Sequence, residues 1–128
     1  MGYHVTIDEI HRAEGELRQA IAIVMAVPKK DDFDKGNLQG LARGESALQS
    51  IYARSLTTTS GGVRFARADV EQAIQQVLPS PVARPGCERS YDRGVGAGLV
   101  QSSIILHRIL ERARMRWVRG HRGGTNDR

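Results

Sequence analysis

Apolar residues recur along this chain at helical spacing in four stretches and at strand spacing in one. The first stretch opens on a capping box, in which Thr6 and Glu9 are placed so that each side chain can satisfy the other's free backbone N–H. Val5 and Ile10 stand at the apolar positions that flank such a box. Ile10, Ala13, Leu17, Ala20, Ile21 and Val24 then share one helical face, and Pro28 stops the pattern because the residue before a proline avoids helical angles. A helix over 7–26 is predicted. After a polar loop at 29–34, Leu38, Leu41, Leu48 and Ile51 predict a second helix over 33–54. Three threonines, a Ser-Gly-Gly turn and the run Val63, Arg64, Phe65 predict a short β-hairpin, which must lean on the helices because two strands alone are barely stable. Val70, Ala73, Ile74 and Val77 predict a third helix over 67–78, and Pro79, Pro81 and Pro85 an irregular connector over 79–88.

The fourth and longest helix is predicted over 90–118, where Gly120, Gly123 and Gly124 should release the chain. The expected fold is therefore mainly α: a small four-helix bundle with one short β-hairpin between helices two and three. Residues 1–118 form its single domain, and 119–128 a flexible, basic, glycine-rich tail. With one Trp, three Tyr and two Phe, the core has to be built from aliphatic side chains.

Helices two and four repeat one another. At an offset of 58 residues, Asp34, Gly36, Gly40, Leu41, Leu48, Ile51 and Arg54 match Asp92, Gly94, Gly98, Leu99, Leu106, Ile109 and Arg112. Phe33 and Lys35 are conservatively matched by Tyr91 and Arg93. Amphipathic register would align the leucines but not the glycines, so an internal duplication or a shared structural need is implied. Gly36, Gly40 and Gly44 lie on one face, as do Gly94, Gly98 and Ser102. Each glycine costs a helix about 1 kcal/mol relative to alanine. Close approach of two helix backbones would explain that cost. The alternative is an anion seat at Lys35, Gly36, Arg93 and Gly94, since helix N-termini attract phosphates. Asp34 and Asp92 argue against it, because they read as N-caps whose carboxylates would fill that place.

Charge is uneven. The chain carries a net +5; residues 1–60 hold seven basic and eight acidic side chains, while 61–128 hold twelve arginines and six acids. Arg108, Arg112, Arg116 and Arg119 fall within an arc of about 80° on the fourth helix. Leu106, Ile109, Leu110, Ala113 and Trp117 define its apolar side. Such a stripe is either a solvated face, a footprint for a phosphate backbone or a dock for an acidic protein.

Catalytic and metal-binding motifs are not recognisable. His4, His11, His107 and His121 lack ligand spacing with Cys87 or with any acid. Glu14 and Glu16 point to different helical faces, and no nucleophile elbow, P-loop or zincin motif occurs. The lone Cys87 rules out an internal disulfide, and no leader-like or membrane-length apolar run is seen, so a cytoplasmic protein without cofactor or membrane contact is expected. Met1, Gly2 and Thr6 fit a permissive acylation pattern that carries little weight. The expected function is a non-enzymatic, nucleic-acid-binding regulatory or accessory protein acting through Arg108, Arg112, Arg116 and Arg119. A protein–protein interaction module, such as an inhibitor or adaptor of mobile-element origin that could form a homodimer, is the alternative. A binder of a small anionic or nucleotide ligand near Lys35 and Arg93 comes third.

Overall fold

The chain folds in the order β1 (Val5–Thr6), α1 (Ile7–Met25), α2 (Asp32–Ala53), β2 (Leu56–Thr58), β3 (Gly62–Phe65), α3 (Arg67–Gln76) and α4 (Ser90–Asn126), as seen in a computed structural model. The structure describes residues 4–54, 56–58, 62–78 and 89–126. The expected connector with Cys87, the tip of the hairpin turn and the residues of the acylation pattern before His4 lie outside them. The mainly α bundle with a hairpin between the second and third helices is as the sequence predicts.

α1 begins where expected. Thr6 caps it through Glu9 N–H, and the Glu9 carboxylate accepts from Thr6 N–H at 2.9 Å. α2 starts at Asp32, one residue before the predicted 33, and its cap lies three residues before the expected Asp34. Asp31 is the N-cap, accepting from Asp34 N–H at 2.8 Å, and Asp34 reaches back to the Asp31 N–H at 3.2 Å. Asp34 is thus the third residue of the helix, not its cap. Two aspartates three apart form the same reciprocal box as Thr6 and Glu9.

Two features were not foreseen. β1 pairs with β3, Val5 opposite Phe65 and Thr6 opposite Arg64, so the hairpin becomes a three-stranded antiparallel sheet in the order β1-β3-β2. Two residues give no periodic signal of their own; only the distant partner makes them a strand. α4 also continues through Gly120, Gly123 and Gly124 to Asn126 rather than ending near Val118. Glycine weakens a helix by about 1 kcal/mol per residue but removes no hydrogen bond, whereas proline would do both.

The sequence repeat is also a spatial one. Strand–helix–helix occurs twice, as β1-α1-α2 and β3-α3-α4, with β1 and β3 antiparallel. α2 and α4 run side by side in the same direction, and their contacts are reciprocal. A Cβ on Gly36 would meet Tyr91 and Val95, and one on Gly94 would meet Phe33 and Asn37, the residues at the matching offset. Gly40 and Gly98 face one another: a Cβ on either would lie 2.8–2.9 Å from the other's Cα. One step on, Ser102 replaces a glycine, fills the space opposite Gly44 and donates its hydroxyl to the Gly40 carbonyl at 3.3 Å. The glycines are there for close packing.

Leu41, Leu48, Ile51, Leu106 and Ile109 from this pair form the core with Ile10 and Leu17 of α1, Val70 of α3, Val77 and the sheet residues Val5 and Phe65. Trp117, expected on the apolar side, stays at the rim with 36% of its surface exposed. Among the described residues no helix is long and apolar enough to cross a membrane.

Candidate functional site

α1 lies antiparallel to α4, and this decides the surroundings of the four arginines. The Glu16 carboxylate lies 2.7 Å from Arg112 and 3.8 Å from Arg108. One further turn along α4, Arg116 Nε donates to Glu9 Oε2 at 3.0 Å and its Nη2 to the His4 carbonyl at 2.6 Å. Arg119 makes no ion pair with a described residue. Three of the four predicted residues are therefore tied to α1, and the stripe is not a free cationic face. The sequence placed these arginines on one arc correctly; it could not place Glu9 and Glu16 opposite them, because that depends on how two distant helices are docked.

The ties differ in strength. Glu9 is almost wholly buried, and its carboxylate serves both the α1 capping box and Arg116, which pins the far part of α4 to the first strand. Arg112 meets Glu16 through Nη2, while Arg112 Nη1 and Glu16 Oε1 are buried without a hydrogen-bond partner among the described residues. Arg108 is half exposed and sits at the outer distance for an ion pair, where such a contact is worth about 0–1 kcal/mol.

Between the two helices runs an open groove of about 560 Å³. Five arginines line it (Arg12, Arg108, Arg112, Arg116 and Arg119) along with Asp8, Glu9, Glu111 and Met115. Arg12, contributed by α1, was not singled out in the sequence, where nothing links it to the arginines nearly a hundred residues later.

Lys35 and Arg93 are exposed at the start of α2 and α4, but Gly36 and Gly94 are buried against the opposite helix. The first turn of α2 is already served by Asp31 and Asp34. Bare backbone that could seat an anion is therefore covered at both glycines.

A third cluster joins Tyr52, Glu14, His11 and Phe65. The Tyr52 hydroxyl points at Glu14 Oε1 at 3.4 Å, and its ring meets Phe65 edge-on and His11 at a tilt. Burial, then the charge of Glu14 and the hydrogen bond to it, push the Tyr52 pKa up to about 12. Because the folded pKa lies above the unfolded value near 10, the neutral phenol favours folding below that value. Stability should fall as pH rises from about 10 to about 12. Tyr52→Phe should remove that part of the decline in alkaline denaturation profiles, and an unchanged profile would contradict the assignment.

Among the described residues no group of three or more histidines, cysteines and carboxylates is close enough to hold a metal ion. Comparison with protein-family models, with curated proteins and with solved structures found no match.

Proposed function

We propose that this protein binds nucleic acid, as a small regulatory or accessory factor without catalysis, through the distal part of α4 and the adjoining rim of the α1–α4 groove. One observation supports this above the others. The glycine register sets the α2 terminus, Ala53, level with Glu111, so that α4 continues beyond α2 for fifteen residues, 112–126. That length is about 22 Å of helix. It contains Arg112, Arg114, Arg116, Arg119 and Arg122 and no acid. Arg112 and Arg116 serve the bundle, while Arg114 and Arg119 are exposed and make no ion pair with a described residue. Arg12 and the loosely held Arg108 add charge along the groove. Guanidinium forks suit phosphate oxygens, and each phosphate neutralised releases counterions.

The test is a salt titration against short DNA and RNA duplexes and single strands. With about three phosphates engaged, affinity should fall roughly 40-fold between about 50 and 200 mM salt. The triple variant Arg114→Gln, Arg119→Gln, Arg122→Gln should bind at least about tenfold more weakly and with a flatter salt slope. No binding at low salt, or a variant that binds as well as the parent, would overturn the reading.

A second reading, as a protein-interaction module, draws on a different surface. Ile23, Val100 and Ile104 are large apolar side chains left between 45% and 65% exposed. Val100 and Ile104 lie about one turn apart on the same side of α4, and exposed apolar surface of this kind marks protein contacts.

A further inference from the structure

The outer face of α4, where His107 also edges a hollow against α3 and Glu111 the α1–α4 groove, has a pattern that the fold itself does not require. Arg93, Ala97, Val100, Ile104, His107 and Glu111 follow one another at alternating steps of four and three, the spacing of a coiled-coil seam. All six are exposed. The duplication supplies an internal comparison. The matching positions on α2 are Lys35, Gln39, Ala42, Ser46, Gln49 and Ala53, also all exposed and without a large apolar side chain. Two helices packed in the same reciprocal way thus carry different outer faces, so the apolar centre of the α4 seam is not needed to build the α2–α4 pair.

We infer that this seam is a homodimer interface, in which the α4 helices of two copies pack antiparallel about a two-fold axis near Ser102. Self-complementarity and charge both point to a second copy. In an antiparallel pair centred there, Val100 faces the partner's Ile104, Ala97 the partner's His107, and Arg93 the partner's Glu111. The two-fold axis makes every one of these contacts twice, as a closed isologous interface requires. Arg93 and Glu111, which end the seam, enter no ion pair among the described residues of one chain. The antiparallel direction also sends the two arginine-rich helix ends to opposite sides of the dimer, whereas a parallel pair would set them side by side. The glycine faces, the other surface that could join two copies, are already used within the chain.

Sedimentation equilibrium of the full chain should give a dimer at micromolar concentrations, and Ile104→Glu or Val100→Glu a monomer with an unchanged helical circular dichroism spectrum. Arg93→Glu and Glu111→Arg should each raise the dimer dissociation constant at least about tenfold, since each sets like charges opposite one another. The double variant should recover most of the affinity. That recovery distinguishes an antiparallel second copy from a parallel one and from any other use of the face. A monomeric parent at about 100 µM, where even a weak dimer would form, overturns the inference. So does a dimer that survives Ile104→Glu, or a double variant no better than the single ones.

Discussion

Gly40→Ala should be among the most damaging single substitutions in this protein, lowering stability by about 3 kcal/mol or more. The added methyl would stand 2.8 Å from both the Gly98 Cα and the Leu99 nitrogen, and closer still to the Val95 carbonyl oxygen. All three belong to backbone, which cannot turn aside as a flexible side chain could, so α2 and α4 would have to separate. Separation opens the layer formed by Leu41, Leu48, Leu106 and Ile109 beside them. Gly98→Ala should behave alike, because its methyl meets Gly40 Cα and Leu41 N at 2.9 Å. The same methyl at Gly96, between two of the packing glycines, or at Gly15 meets nothing within 4 Å. There alanine should stabilise by about 0.5–1 kcal/mol, through helix propensity alone. Thermal melts of the four variants test the sign as well as the size. If Gly40→Ala and Gly96→Ala shift the midpoint in the same direction, the close packing of α2 on α4 is wrong.

The second large effect is expected at Glu9. Glu9→Ala removes the acceptor for the Thr6 N–H, worth about 1 kcal/mol as half of a capping box. It also removes the charged partner of Arg116, a hydrogen bond worth about 1.5–3 kcal/mol when desolvated. Since the Arg116 side chain is 48% exposed, the lower part of that range applies, for a total of about 2.5 kcal/mol. Glu9→Gln should cost less, because an amide can still accept from Thr6. Arg116→Gln should cost a similar amount, since it leaves the almost wholly buried Glu9 carboxylate without its charged partner. A double-mutant cycle between Glu9 and Arg116 in denaturant unfolding should give a coupling of about 1 kcal/mol. Additivity within error would mean that the two ends of the chain are not joined through this pair.

How legible this molecule is in its sequence depends on how far apart the interacting residues lie. The α1 capping box, the face made by Ile10, Ala13 and Leu17, and the stop at Pro28 all follow from residues within a few positions of one another, and each is found where the pattern puts it. The α2 cap shows the limit of such reading: Asp31 and Asp34 lie three apart and either can cap a helix, and the structure makes Asp31 the cap and Asp34 its partner within the first turn. Trp117 likewise has the right helical angle for the core, yet lies beyond the point where α2 could cover it.

For the candidate site the separation is greater and less could be foreseen. That Arg108, Arg112, Arg116 and Arg119 share a side of one helix follows from helical geometry alone. Whether that side faces solvent or carboxylates does not, because Glu9 and Glu16 lie nearly a hundred residues earlier and their own spacing is that of an ordinary wet helix face.

By itself, the amino-acid order determined the helices, their apolar faces, the hairpin and the duplicated glycine pattern, because periodicity, caps and turns act over one or two helical turns. Tertiary structure alone decided that β1 joins the sheet, that the glycines of α2 meet those of α4 in register, and that α1 lays its glutamates over three of the four arginines. Those outcomes depend on how rigid elements dock. Docking is settled by shape and charge summed over whole surfaces, which no local stretch of sequence contains.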